Sequence, residues 1–506
     1  MEKENTSHYP QPDRWSYLWL LIGTVLSVFL AGSWPLSLAG WLAPVFMIRF
    51  MRSQKLLPGF ILASIGLGAA NTISFLHAGL GGISPLLFGA LLGINYGVFY
   101  LVDRVLAPRL PQHGLASFCV TLVFPTLMTA GEFIMLNKIF VGSSGSWAYS
   151  QQSNLILMQI ISITGLWGLT FIITWFAATF NWAWERNFSW PEIQGGAAIY
   201  SSILLLVLVF GIVRVRFFEP QAVTVRVHGI IADEQTSEVL YGKFIPLLKT
   251  DREAYRREVV RNYDTYIEAT IRESQAGAKI VVWPENAVVG TREDLDALIN
   301  RIGQVAKSEN IYLAMGMVVL DSDIGEMRLA AFDPSGKMVI DHLKYAYNMK
   351  RDLGKVDLQT MDTPYGRLAA VLCGDLDNPG VISQLGRKGV DILLVPAMED
   401  AESAPWHHRL AAFRAVENGF SMVRVTMAGS SLAADPYGRI LAAMNYFNTT
   451  DRVMVAQVPT HGVHTIFDTI GNLFGWLNIA GFVVLAGWAI IRGRKTRVEI
   501  ASSPES

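Results

Sequence analysis

The chain has 506 residues, of which 51% are hydrophobic and only 16% are charged, and its formal net charge is −1. A soluble protein of this length needs more charge to cover its surface, so the composition predicts membrane spans. A nearly neutral chain also argues against a nucleic-acid partner, which calls for a basic surface.

Eight apolar runs predict helices that cross a membrane, because a hydrocarbon core about 30 Å thick needs about 20 apolar helical residues. No small-residue cleavage pattern follows the first run, so we interpret it as a retained span and not as a cleaved signal. The sequence therefore predicts a polytopic α-helical membrane domain of about eight spans. Its runs lie near residues 16–33, 35–50, 57–78, 84–103, 115–136, 155–181, 194–213 and 466–491.

Basic residues in the loops predict the orientation of these spans, because Lys and Arg collect on the cytoplasmic side of a membrane. With the amino terminus inside, the short outer loops contain almost no basic residue besides Lys138. This asymmetry predicts that residues 222–460 lie outside the cytoplasmic membrane. The predicted cytoplasmic segments contain Lys3, Arg14, Arg49, Arg52, Lys55, Arg104, Arg109, Arg186, Arg492, Arg494, Lys495 and Arg497.

Residues 222–460 have a different pattern from the predicted membrane segments 1–221 and 461–506. Short apolar or β-branched runs alternate with helical stretches over 251–275 and 292–308, which predicts one α/β domain. A binding domain without chemistry is the simplest alternative at this point. The predicted strands are Val223–Val227, Ile280–Trp283, Tyr312–Val319, Ala369–Leu372, Ile392–Val395 and Met422–Thr426.

Three polar residues follow apolar runs or turns in this domain, where α/β proteins usually display reactive groups. Glu285 follows Val-Val-Trp-Pro, Lys344 lies beyond an Asp-Pro-Ser-Gly turn, and Cys373 follows Ala-Ala-Val-Leu. A carboxylate can take the proton of a thiol, and a lysine or the backbone N–H of Gly374 can stabilise an oxyanion. Each residue also has a structural alternative: a helix-start glutamate, a surface lysine or a buried core cysteine.

The order of these motifs resembles the nitrilase superfamily. WPE is followed by a lysine beyond a DP-x-G turn and then by the cysteine of VLCGD. The later blocks DILLVP, RAVEN, GSS and DPYG also run in the order that family shows. The resemblance covers about residues 222–460 and implies an α-β-β-α sandwich.

The same resemblance implies roles for individual residues. Glu285 is expected to be the general base, Lys344 the oxyanion partner and Cys373 the nucleophile. Asp352 stands where the family often has a second glutamate, and Asp375 matches its usual carboxylate after the cysteine. For these two acids a salt bridge or a capped turn is an equal alternative.

The membrane spans together with this domain resemble the apolipoprotein N-acyltransferase family. That resemblance implies an enzyme that moves an acyl chain from a phospholipid, through a thioester on Cys373, to the N-terminal amine of a lipoprotein. It implies a multi-pass protein of the bacterial cytoplasmic (inner) membrane with its catalytic domain on the periplasmic side. No cofactor or metal is expected.

The substrate-facing loops depart from that family. The stretch from Lys344 to Asp352 reads KYAYNMKRD, the interval from Lys344 to Cys373 is short, and Gly374 replaces the usual aromatic residue. The alternative is a membrane-tethered amidase that hydrolyses amides with the same Glu–Lys–Cys set. The short interval favours the amidase, the predicted spans favour the acyltransferase, and the intact set argues against a non-catalytic scaffold.

Four residues outside this set also attract attention. His407 and His408 are adjacent, and neighbouring side chains on a helix point apart, so they predict no shared metal site. Glu132 lies inside the fifth apolar run and is either functional, a buried hydrogen-bonded contact, or a residue near the outer surface with Lys138. Cys119, in the same run, is interpreted as core packing.

Overall fold

The chain divides into two units in its computed structural model. The first unit combines Met1–Met135, Gly145–Val213 and Gly471–Ser506, and the second combines Leu136–Ser144 and Arg214–Ile470. The domain limits at 221 and 460 stay predictions. The structure describes residues 14–30, 34–79, 81–138, 142–218, 223–232, 239–320, 325–345, 356–401 and 404–502.

The first unit is helical, and each run predicted as a span contains helix. Gly471, whose φ is +54°, lies between the short helix Ile466–Ile470 of the second unit and the long helix that follows. Short 3₁₀ helices at Ala107–Arg109, Leu115–Leu122 and Trp147–Gln151 join the α-helices. The α-helices of this unit are Arg14–Ser27, Ser37–Arg52, Leu56–His77, Ser84–Leu106, Val123–Lys138, Leu155–Met158, Ile161–Thr164, Leu166–Trp184, Trp190–Phe217 and Leu473–Ser502.

Six helices in the described part of the chain are long and apolar enough to cross a membrane. This confirms the predicted polytopic helical membrane domain. The helices in the first two predicted spans have only 14 and 16 residues, and at about 1.5 Å per residue they are shorter than a hydrocarbon core of about 30 Å. The count of eight crossings therefore stays a prediction. The six helices are Leu56–His77, Ser84–Arg109, Leu115–Leu136, Leu166–Trp184, Trp190–Phe217 and Leu473–Arg494.

Glu132 is fully buried inside the helical unit. Its carboxylate accepts hydrogen bonds from the Ser146 hydroxyl at 3.1 Å, the Trp147 backbone N–H at 3.0 Å and the Thr170 hydroxyl at 2.8 Å. Buried polar groups need such partners, and here they join the helices Val123–Lys138 and Leu166–Trp184. The geometry supports the interpretation of Glu132 as a buried hydrogen-bonded contact.

The second unit contains two β-sheets. In the first sheet the strand order is β13-β1-β2-β4-β5-β6, with β3 paired to β4, and in the second it is β12-β11-β10-β9-β8-β7. The strands are β1 Thr224–Ile230, β2 Ile280–Val282, β3 Val288–Gly290, β4 Tyr312–Val319, β5 Glu326–Phe332, β6 Met338–Leu343, β7 Thr360–Thr363, β8 Gly366–Ala370, β9 Ile392–Met398, β10 Ser421–Met427, β11 Ser430–Ala434, β12 Ile440–Asn445 and β13 Val453–Pro459.

The strands at the centre of each sheet are parallel, and those at the margins are antiparallel. Strand β2 pairs in parallel with β1 and β4, and strand β9 pairs in parallel with β8 and β10. Parallel strands are covered on both faces and read as continuous apolar runs. This is why these strands were visible in the sequence.

The core lies between the two sheets and beneath the helices outside them. In β2, Ile280 and Val282 pack into the cluster between the sheets, whereas Val281 packs under the outer helices. This alternation follows from the two-residue period of a strand. Leu394 and Val423 supply the same inter-sheet cluster from the second sheet.

Helices cover the outer faces of both sheets. Arg252–Gln275 and Arg292–Ser308 pack on the first sheet through buried residues such as Tyr266 and Leu298. Ala404–Asn418 contacts β10 and β11 of the second sheet. This is the predicted α-β-β-α sandwich. The other helices among the described residues of the unit are Leu240–Phe244 (a π-helix), Ile245–Thr250, Pro379–Arg387 and Ile466–Ile470, with 3₁₀ helices at Gly142–Gly145 and Cys373–Asp377.

Candidate active site

Glu285 lies just beyond β2 and is only 2% exposed. Its backbone N–H donates to the carbonyl of Ala397 in β9 at 3.2 Å, so a hydrogen bond between the sheets fixes its position. Gly316 in β4 passes so close that a Cβ there would overlap the carbonyl oxygen and Cα of Glu285. The glycine is therefore required for the close approach of these two backbone segments.

Lys344 directly follows β6, and its side chain points to Glu285. Its Nζ donates to Glu285 Oε1 at 2.5 Å, and the two side chains are 10% and 3% exposed. Burial lowers the pKa of the Lys344 ammonium, but the charges of Glu285, Cys373 and Asp375 and the hydrogen bond to Glu285 together outweigh burial, so the pKa is raised. Lys344 is therefore a permanent cation beside a carboxylate.

Cys373 begins the 3₁₀ helix Cys373–Asp377, three residues after β8, and is 8% exposed. Its Sγ lies 3.6 Å from the carbonyl oxygen of Met398. Burial, followed by the charge of Glu285, raises the pKa of the thiol to about 12, while the charges of Arg424 and Lys344 act in the opposite direction. The thiol is neutral at neutral pH and becomes reactive only as its proton leaves.

The structure thus brings Glu285, Lys344 and Cys373 close enough to interact, and their catalytic roles stay predictions. The three come from the ends of β2, β6 and β8, which belong to both sheets. A base, a fixed cation and a thiol in one buried place can carry out nucleophilic attack on a carbonyl group.

Asp375 joins the segment after β6 to the Cys373 helix. It is fully buried, and its carboxylate accepts from the Tyr345 N–H at 2.8 Å and the Leu372 N–H at 3.1 Å. It also pairs with His342 Nε2 at 2.7 Å. Asp375 therefore has contacts that hold the neighbours of both Lys344 and Cys373.

The other two supporting residues differ in what the structure offers. Gly374 is buried in the 3₁₀ helix, where its carbonyl accepts from the Asn378 side chain at 3.3 Å. Asp352 lies outside the described residues, and so does most of the stretch that follows Lys344.

Two charged residues at the site, Arg424 and Glu399, were not predicted from the sequence as members of it. Arg424 lies in β10 and donates to Glu399 Oε1 at 2.6 Å and toward Cys373 Sγ at 3.7 Å. Glu399 directly follows β9. Two signals pointed to them: an arginine inside the apolar run Met422–Thr426, and an acid at a strand end. His342 was missed too.

Metal ligation finds no support in the part of the chain that the structure describes. No group of three or more His, Cys, Asp and Glu side chains there could hold a metal ion. His407 and His408 lie in the helix Ala404–Asn418.

Comparison with known proteins finds one matching family and two kinds of similar protein, which are acyltransferases and an amidase. Residues 252–466 match the family described as carbon-nitrogen hydrolase. The chain is 25% identical over 438 residues to an apolipoprotein N-acyltransferase of Geobacter metallireducens, covering 79% of each protein. It is 23% identical over 535 aligned positions to an apolipoprotein N-acyltransferase of Shewanella oneidensis, covering 94% of this chain and 97% of that one.

The third relative matches a smaller part of the chain. The omega-amidase NIT2 of Mus musculus is 26% identical over 206 residues, which is 34% of this chain and 74% of the amidase. The similarity to the two acyltransferases thus extends over both units, whereas the similarity to the amidase covers about a third of the chain.

Proposed function

This chain is an apolipoprotein N-acyltransferase-like membrane protein of the nitrilase superfamily, and on that premise we propose that it transfers an acyl chain from a phospholipid to the N-terminal amine of a lipoprotein. The observation that carries the proposal is Cys373, buried beside the Lys344–Glu285 pair in a chain similar to acyltransferases along most of its length. The acyl group is held as a thioester on Cys373 between the two half-reactions.

In the first half-reaction the thiol attacks the ester carbonyl of the phospholipid. The Cys373 proton moves to the Glu285 carboxylate as the C–S bond forms, and Lys344 stabilises the negative charge on the carbonyl oxygen. The ester C–O bond then breaks, and the leaving alkoxide takes the proton back from Glu285. The products are the Cys373 thioester and a lysophospholipid.

In the second half-reaction the deprotonated amine of the lipoprotein attacks the thioester carbonyl. The proton of the attacking nitrogen moves to Glu285, the C–S bond breaks, and the departing Cys373 sulfur receives that proton. An amide remains on the acceptor, and the enzyme returns to its starting state. Glu285 is the base in both half-reactions. It carries a proton away from Cys373 in the first and returns a proton to Cys373 in the second.

The supporting residues fit this scheme as positioning groups. We propose that Asp375 fixes the positions of Lys344 and Cys373 relative to each other through its contacts with Tyr345 and Leu372. The backbone N–H of Gly374 is the second donor proposed for the oxyanion. A role for Asp352 as a further acid stays a prediction.

We place the reaction at the periplasmic face of the bacterial cytoplasmic membrane. Basic residues are concentrated in the loops predicted to lie on the other side of the membrane from residues 222–460, and six helices in the described residues have membrane length. Both substrates carry acyl chains, so an enzyme anchored in the same bilayer meets them without extracting either one.

Amide hydrolysis is the second candidate, because the omega-amidase NIT2 is similar to part of the α/β domain. In this reaction the same thiol attacks an amide, the C–N bond breaks, and the amine leaves with the proton that Glu285 took from Cys373. Water then hydrolyses the thioester to a carboxylic acid and returns the free thiol. The short interval between Lys344 and Cys373 also favours small substrates.

The experiment that separates the two is the intact mass of the purified protein after incubation with phosphatidylethanolamine. Acyl transfer predicts a mass increase of one fatty acyl group that hydroxylamine removes. The Cys373→Ala variant should gain no mass while inserting into membranes like the wild type. An adduct on that variant would contradict the assignment of the nucleophile, and no adduct on the wild type would favour amide substrates.

A further inference from the structure

The Cys373 sulfur interacts electrostatically with the members of two ion pairs. Lys344 and Glu285 form the first, and Arg424 and Glu399 form the second, in which both side chains are 1% exposed. The Arg424 Nη2 atom donates to Glu399 Oε1 at 2.6 Å and also approaches Cys373 Sγ at 3.7 Å. One guanidinium nitrogen therefore contacts both the carboxylate and the sulfur.

The second sheet fixes this arrangement. Arg424 pairs with Val395 in the parallel register of β10 and β9, and Glu399 follows β9 with its N–H bonded to the Met427 carbonyl at 3.0 Å. The other terminal nitrogen of Arg424 donates to the Thr426 hydroxyl at 2.7 Å. The guanidinium is therefore anchored from two sides before any substrate arrives.

We infer that Arg424, held in place by Glu399, stabilises the thiolate of Cys373 when the thiol loses its proton. The inference rests on the proposed role of Cys373 as nucleophile, and it applies to acyl transfer and to amide hydrolysis alike. It adds a second cation to the Glu–Lys–Cys set.

The charges around the sulfur come from four elements and balance one another. Glu285 follows β2, Lys344 follows β6, Glu399 follows β9 and Arg424 lies in β10. With a neutral thiol, the two acids and two bases sum to zero. After the thiol proton moves to Glu285, the thiolate and Glu399 balance Lys344 and Arg424. Without Arg424 the thiolate would be formed in a buried site with an excess negative charge.

A purely structural ion pair is the alternative, because buried pairs also occur without function. The two interpretations differ in whether the charges of Arg424 and Glu399 affect the reactivity of the Cys373 thiol. Arg424 lowers the pKa of Cys373 and Glu399 raises it, so removing one or both charges must change the reactivity of the sulfur in a defined order.

The test is the rate of Cys373 alkylation by iodoacetamide in the full-length protein in detergent, across about pH 6 to 10. Peptide mass spectrometry follows Cys373 and Cys119 in the same sample. We expect Glu399→Gln to react about tenfold faster than wild type at neutral pH, since an opposing anion is gone. The double variant Glu399→Gln with Arg424→Gln should react at least about tenfold more slowly than Glu399→Gln alone.

Equal alkylation of Glu399→Gln and the double variant would overturn the inference, because these two proteins differ only in Arg424. Arg424→Lys provides a second comparison if Glu399→Gln does not fold. A single ammonium cannot match the planar fork, so we expect several-fold slower alkylation than wild type, and an unchanged rate would also contradict the inference.

Two controls separate this result from other effects. Arg328, which pairs with Asp341 and Glu326, belongs to a partly exposed ion-pair cluster in the first sheet, and Arg328→Gln should leave Cys373 alkylation unchanged. Cys119 should react alike in all variants. Alkylation requires no turnover, so failure of the acyl-transfer proposal, detected with Cys373→Ala, is distinguishable from failure of this one.

Discussion

Cys373 is a neutral thiol in the resting protein, because burial raises its pKa to about 12. At neutral pH the sulfur therefore carries its proton almost all of the time. Such a thiol does not react with every electrophile that reaches it. In the proposed mechanism it gains nucleophilicity only when a bound carbonyl allows the proton to move to Glu285.

The position of Glu285 depends on a residue in the neighbouring strand that carries no functional group. We predict that Gly316→Ala lowers the rate of thioester formation by about 100-fold, since the new Cβ would displace the Glu285 backbone. The free energy of unfolding should fall by about 1–3 kcal/mol, as is usual for overpacking. Acyl-adduct mass and thermal unfolding measure the two effects.

Gly380→Ala is the matched control for this prediction. A Cβ at Gly380 meets no atom within 4 Å, and the residue lies in the helix Pro379–Arg387. Alanine there should stabilise the protein by up to about 1 kcal/mol and leave thioester formation unchanged. A fully active Gly316→Ala protein would show that the close backbone approach does not position the base.

At the residue scale, the positions of Glu285, Lys344 and Cys373 near predicted strand ends or turns were weak evidence, and the order of motifs that resembles the nitrilase superfamily selected them. Their catalytic roles stay predictions. Arg424 and Glu399 were harder to assign. A charged residue in a buried strand is visible, but its partner depends on the register of β10 against β9. Only the folded sheet shows that the pair faces Cys373.

At the scale of elements, strands buried on both faces were predicted well and marginal strands were missed. The run Tyr312–Val319 is strand β4 with the same limits, and every residue in it is buried. Strand β12, Ile440–Asn445, is mostly exposed, and its short apolar run is rich in alanine, which is depleted in strands, and has one β-branched residue, Ile440. Antiparallel edge strands of this kind depend on their neighbours more than on their own composition.

The 3₁₀ helix that begins with Cys373 is held by a segment from a distant part of the sequence. Gly142 has a φ of +59° and passes so close to Asp377 that a Cβ would overlap its carbonyl oxygen. Arg414, fully buried, donates to the Ser143 hydroxyl at 2.7 Å and to the Leu376 carbonyl at 3.0 Å. Gly142 and Ser143 therefore contribute to the position of the candidate nucleophile.

We predict that Gly142→Ala slows thioester formation by at least about tenfold, because it pushes on the helix that carries Cys373. Gly389→Ala is the control: its φ of +65° imposes the same backbone strain, but a Cβ there meets no atom within 4 Å. Both variants should lose about 1 kcal/mol of stability from that strain. Equal acyl-adduct formation in the two variants would contradict a positioning role for Gly142.

At the scale of the whole molecule, the apolar runs predicted the membrane helices because hydropathy is a local property. The assignment of Leu136–Ser144 to the α/β unit could not be predicted, because it depends on contacts with Asp377 and Arg414 that are far away in sequence. The side of the membrane on which each unit lies is a separate question and can be measured.

We predict that a membrane-impermeant maleimide labels Glu253→Cys in intact spheroplasts, in a chain whose two native cysteines are replaced by alanine. Glu253 has a side chain that is 91% exposed in the α/β domain. Arg492→Cys, in the tail predicted to be cytoplasmic, should be labelled only after the membrane is permeabilised. The reverse pattern would overturn the proposed orientation.

The separation of Leu136–Ser144 from Arg214–Ile470 along the chain affects how this enzyme can be recombined. A gene that encodes only the second stretch would produce a fragment in which the buried Arg414 lacks the Ser143 hydroxyl. In a hybrid that joins the stretch Arg214–Ile470 of one homologue to the helices of another, the stretch Leu136–Ser144 would come from the second protein and would not match the first. Recombination that preserves activity therefore has to exchange both stretches together.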